Sequence, residues 1–177
     1  IPMTDPITAL SIIIEFSVGL AGFSGIVIIF ASSPAGWNAA DKYRISNLLC
    51  CSFSAGLVAF VPIGLLHSNL DPQQVWRVSS AVLGCASTLT LVIILGRKRH
   101  LSAEEASVLN PYLVVLFTGG IIASTLIQFI NTLGLLPGNQ FLYLYFGMVW
   151  LLVVAGVQFY RIVFYRRITK NSYSSKH

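Results

Sequence analysis

Glu15 is the residue whose type and setting point most directly to chemistry. It is the single acid in a run of 25 residues, Ile7 to Ala31, that contains no basic residue. A carboxyl group within such a run is expensive to hold at bilayer depth, so acids there tend to serve a proton or cation path or a specific polar contact. On a helix, Ser11, Glu15, Gly19, Gly22 and Ile26 share one face, at spacings of 4, 4, 3 and 4. That face combines an acid with a groove of small residues. Gly19, Gly22 and Gly25 are therefore expected to pack helices closely, because membrane helices associate through backbone approach rather than a water-driven hydrophobic effect.

Depth matching suggests partners for the carboxyl. Gln128 falls at a similar level in a later apolar run, and Arg77 begins another run just above it. Glu15 is expected to be neutral and bonded to Gln128, paired with Arg77, or open to a wet cavity. Asn131 continues the Gln128 stripe. Gly120, Ser124, Gln128, Asn131 and Leu135 again follow 4, 4, 3, 4 spacing, and Thr118, Thr125 and Thr132 form a second line seven apart. Such stripes either bond helices together or line a wet path. Glu15, Gln128, Asn131 and Arg77 are thus the candidates for an ion or proton path.

Other chemistries find little footing. His67, His100 and His177 fall at opposite ends of the apolar runs, and no H-x-x-H or H-E-x-x-H spacing occurs, so no metal site is expected. Cys50, Cys51 and Cys85 lie inside apolar runs without a C-x-x-C and are expected to be buried thiols. No nucleophile elbow or triad order is present, so the expectation is a non-enzyme without a cofactor.

The elements that position these residues are apolar blocks. The chain is 55% hydrophobic and 10% charged, against about 25% charged in soluble domains. Its formal charge is +5, but the basic residues lie between apolar blocks and do not interleave with exposed aromatics, which argues against nucleic acid. Five spans are expected, over about 7–31, 45–66, 75–95, 111–135 and 140–164, within one transmembrane domain 1–167 followed by a mobile cytoplasmic tail, 168–177. Asp5-Pro6, Asp71-Pro72 and Asn110-Pro111 are helix-entry signals. Ala39 to Arg44 is expected to lie at the membrane interface, and Pro62 to kink the second span. Ser102 and Glu105 form a capping box ahead of the fourth span. Aromatics at both ends of the fifth span, such as Phe141, Tyr145, Tyr160 and Phe164, resemble interfacial belts.

The charges order these spans. With five crossings, ten of the eleven basic residues share one side and only Arg77 lies on the other. The positive-inside rule then places the N-terminus outside and the C-terminus in the cytoplasm. Arg97, Lys98, Arg99, Arg166 and Arg167 sit where lipid head groups would meet them. No basic residue precedes Lys42, so the first run reads as a retained helix and not a secretory signal, with Met3 as the expected natural start. Five spans in so short a chain leave little room for a lumen, so a conducting path is expected between subunits of a homo-oligomer. A non-conducting scaffold or accessory subunit is the alternative.

Glu15 followed by Ala21-Gly22-Phe23-Ser24-Gly25 resembles the first helix of small bacterial multi-pass membrane proteins with an A-G-F-x-G motif. The likeness covers the first span. It implies a bacterial inner-membrane location and supplies no activity.

Overall fold

The computed structural model describes residues 5–30, 39–102, 105 and 109–174, with backbone alone for 30 and 164–174. Five helices account for nearly all of them: α1 Pro6–Phe30, α2 Ala39–Leu66, α3 Pro72–Arg99, α4 Pro111–Thr132 and α5 Gln140–Ser174. Each contains a segment long and apolar enough to cross a bilayer. The five helices are consistent with a multi-pass membrane protein, and no strand occurs among the described residues.

The helix ends follow from local chemistry. Asp71 accepts from the Gln73 N–H at 2.8 Å and Asn110 from the Tyr112 N–H at 3.0 Å, each ahead of a first-turn proline. Asp5 accepts from the Ile7 N–H at 3.3 Å. Ser102 and Glu105 exchange the two bonds of a capping box, at 2.9 and 3.2 Å. The fourth helix stops at Thr132, three residues short of the expected end. Gly134 there takes a φ of 70°, and the Gly134 and Leu135 N–H groups donate back to Asn131 and Ile130. This is a Schellman closure, which favours glycine at the left-handed position. The fifth helix instead runs past the expected end near Phe164 to Ser174, into the segment expected to be a mobile tail. Within α2 the helix continues through Pro62.

α5 is the hub. It packs against all four other helices, while α2 packs against α1 and α3, and α3 against α4. Leu10, Leu48, Leu83, Ile121, Leu144, Met148 and Leu151 form the centre of the core, each almost completely buried. The main partners of α1 are α2 and α5.

Two expectations about side-chain placement, for the cysteines and for Phe141, change here. In the first turns of α2, Asp41, Tyr43 and Arg44 are buried while Lys42 is exposed. An Arg44–Asp41 bond of 3.0 Å links the two charged groups one turn apart, which offsets part of their desolvation. Of the three cysteines, only Cys51 is buried, while Cys50 is half-buried and Cys85 exposed. Phe141 is not part of an outward belt but packs inward on Trp76, ring centroids 5.0 Å apart. Phe146 and Tyr160 do face outward.

Candidate functional site

Two buried polar clusters and one open helix face share the candidate residues. The first cluster lies where α3 and α5 begin and α4 ends. Asn131 is fully buried there. Its Nδ2 donates to Ser80 Oγ at 2.8 Å and to the Gln140 carbonyl at 3.1 Å, tying α4 to α3 and α5. One turn along α4, Gln128 Nε2 donates to the Tyr143 carbonyl at 2.8 Å. The Gln140 amide, assigned from its hydrogen-bond partners, donates to the Gln73 carbonyl and accepts from Arg77 Nε, both at 3.2 Å. The Arg77 guanidinium also lies against Gly134, where a methyl group would overlap it. Glycines admit the larger groups: a methyl at Gly147 would overlap Gln128 Nε2, and one at Gly120 would overlap the Trp150 indole.

The second cluster lies at the opposite end, where α2 and α4 begin and α3 and α5 end. It contains the Arg44–Asp41 pair, Tyr43, Asn47, Gln158 and Arg161. The last four line a recess of about 10 Å³ together with Thr118 and apolar side chains. A second recess of about 10 Å³ lies between α1, α2 and α5, lined by Ser24, Val27, Ile28, Ile45, Leu48, Phe159 and Ile162. Each has room for about one water.

The open face belongs to α1. Its buried seam is Ala9, Leu10, Ile13, Ser17 and Ser24. Glu15 stands two residues from both Ile13 and Ser17, about 200° around the helix, and is exposed. It has no hydrogen-bond or ion-pair partner among the described residues. Among the described residues neither expected side-chain partner meets it: Gln128 bonds Tyr143 and Arg77 bonds Gln140, and Glu15 lines neither recess. Among the described residues, Gly19, Gly22 and Gly25 likewise have nothing within 4 Å of where a side chain would begin, so no close helix approach is seen at these glycines. The close approach to α1 is made by Gly56 of α2, whose methyl equivalent would lie 2.8 Å from Ser17 Cβ.

The choice of seam has a physical cause. Ser17 and Ser24 bond the carbonyls of Ile13 and Leu20 on their own helix, so their hydroxyls enter a helix interface already satisfied. A carboxylate is an acceptor only and cannot satisfy itself this way, and the face that carries Glu15 is left outside.

Arg97, Lys98 and Arg99 are exposed in the last turn of α3, where they also complement the helix dipole. Arg166 and Arg167 lie on α5, with side chains outside the described residues. His67 Nδ1 bonds the Ile63 carbonyl at 2.8 Å. No group of three or more His, Cys, Asp or Glu side chains converges among the described residues. Ser80, Gln140, Asn47 and Gln158 were not singled out from sequence. Serines and amides are unremarkable letters in an apolar run, and only the facing helices reveal which of them meet.

The chain matches no family model, no curated protein and no solved structure in the three comparisons made.

Proposed function

We propose that this protein is an assembling subunit of a bacterial inner membrane, non-enzymatic and oriented with its N-terminus outside, that associates with copies of itself through the outward face of α1. The observation that carries this reading is the exposure of Glu15 and Gly22 on α1, with Gly19 and Gly25 half-buried beside them and, among the described residues, open space where a side chain would stand at each glycine. A carboxyl group facing hydrocarbon is unfavourable by roughly 2.5–3.5 kcal/mol on insertion scales. Covering it with a second helix offsets that cost, and glycines permit the close approach. Two α1 helices related by an axis along the membrane normal would meet at equal depth, glycine to glycine and carboxyl to carboxyl.

The interior of the subunit supports a scaffold rather than a conduit. Gln128 and Asn131 spend their N–H groups on bonds between helices. Neither recess exceeds about one water. The basic residues at one side orient the bundle by the positive-inside rule, and those of the α3 end are placed to meet anionic head groups.

The test is a cysteine-free variant carrying Gly22→Cys, oxidised in native membranes. Disulfide-linked dimers are expected, and a matched Phe53→Cys variant on an exposed face of α2 should give none. Absence of linked dimers at Gly22, under conditions that modify the thiol with a membrane-permeant reagent, would overturn the assembly reading.

A second reading is favoured by the titratable nature of the group. With the carboxyl at a boundary between subunits, protons or cations pass along that boundary. Reconstituted vesicles should then show a flux that Glu15→Gln abolishes while leaving cross-linking intact. An unchanged flux rules out Glu15 as the carrier.

A further inference from the structure

The recess between α2, α3, α4 and α5 holds two features that the assembly reading does not use. Its walls are largely apolar, including Ile94, Phe117, Ile121 and Val154. Into this lining enter the side chains of Asn47 from α2 and Gln158 from α5, each 4% exposed. Asn47 Oδ1 and Gln158 Oε1 have no hydrogen-bond partner among the described residues. Tyr43 lines the same recess one turn earlier on α2, and Asn47 Oδ1 is still without a donor among the described residues.

An unpaired buried amide oxygen is costly anywhere, and native folds retain few of them. In a lipid-facing bundle, bulk water cannot relieve it. Two such oxygens lining one recess with room for about one water call for a single shared donor. Two acceptors without partners select a molecule that can donate to both. An apolar guest leaves both oxygens unpaired.

We propose that this recess is a binding site for one water-sized molecule with at least two N–H or O–H donors, water or ammonium, bridging Asn47 and Gln158. Tyr43 and Thr118 supply further hydroxyls around it, and Arg161 stands at its lining. The bound molecule links α2 to the hub helix α5. The site lies within one subunit and is independent of assembly through α1.

The experiment uses the full chain in detergent micelles and reads the midpoint of thermal unfolding. Asn47→Leu and Gln158→Met keep shape while removing the acceptors. With a shared bridge, each lowers the midpoint by about 2–4 °C, and the double variant falls by less than the sum. Midpoints that rise in both single variants show two unpaired oxygens relieved and no bound molecule, which overturns the proposal. Strictly additive losses overturn the shared bridge. Should Gln158→Met fail to fold, Gln158→Asn retains the amide on a shorter arm and completes the same cycle.

Ammonium and potassium chloride are compared at equal ionic strength, since potassium is close in size and carries no hydrogen. A rise with ammonium alone, lost in the Gln158 variant, assigns ammonium. No difference between the salts, together with a non-additive cycle, assigns water. Equal rises with both cations, lost in the Gln158 variant, overturn the requirement for a donor.

Discussion

The α3–α4–α5 junction and the outward face of α1 are built from similar letters and end in opposite settings. Each has a small-residue stripe, and each has polar groups within an apolar helix. At the junction, Gly120 and Gly147 are pressed against Trp150 and Gln128, and Asn131 joins three helices through Ser80 and the Gln140 carbonyl. On α1, a methyl group at Gly19 or Gly22 would meet nothing among the described residues, and Glu15 is exposed. The difference teaches that a 4-4-3-4 stripe identifies a face without saying whether the fold or a later assembly will cover it. What separates the two is whether the polar members find any bond within reach, since the Gln128 and Asn131 oxygens also lack a partner among the described residues. Amide N–H groups on α4 meet carbonyls and a hydroxyl from α3 and α5. The α1 carboxyl needs a donor that neither α2 nor α5 presents to it.

Matched substitutions sharpen this contrast. The largest expected effect is Gly120→Val, which drives a branched side chain into the Trp150 indole and should destabilise the bundle by about 3 kcal/mol or prevent folding. The same change at Gly22 should alter subunit unfolding by less than about 0.5 kcal/mol, while lowering the cross-linked fraction of the assembly. Equal losses at both positions, read by unfolding in micelles, would erase the distinction.

Asn131→Leu comes next. It leaves the Ser80 hydroxyl and the Gln140 carbonyl without their shared donor, and a loss of about 1–3 kcal/mol is expected. Hydrogen exchange should rise first at the α4–α5 connection. Arg77→Gln should cost less, about 1 kcal/mol, because Arg77 is only half-buried and gives up one bond to Gln140. Restoring part of that loss with Arg77→Lys would show a role for charge beyond the bond itself.

Smallest in the isolated subunit is Glu15→Gln. Unfolding of the monomer should change by less than about 0.5 kcal/mol, since the carboxyl has no partner to lose. A large loss in the monomer would place Glu15 inside the fold after all.

Much of the architecture was legible because the bilayer imposes it. Asp71-Pro72, Asn110-Pro111 and the Ser102–Glu105 box announce their helix starts through bonds that form within a few residues. Gly134, whose closure trims α4 to Thr132, is an equally local signal that the expected span to 135 passed over. The Gln128–Asn131 stripe was legible as a face, and it is buried. The pairing of Arg77 with Gln140, the burial of Arg44 and the meeting of Asn47 with Gln158 around one recess were not. Each depends on which helices become neighbours, and apolar runs of similar length and composition encode that only weakly.

By itself, the order of residues determined that five apolar helices would form and where three of them would begin. Hydrocarbon leaves a backbone no alternative to internal hydrogen bonds, and caps act over a few residues. Only the tertiary structure decided which stripe of each helix turned inward. On α1 it chose the serines, whose hydroxyls satisfy themselves on their own helix, and left the acid outside. That choice follows from the summed packing and polar bonding of α1 with its neighbours, which is a property of the bundle and of no single run.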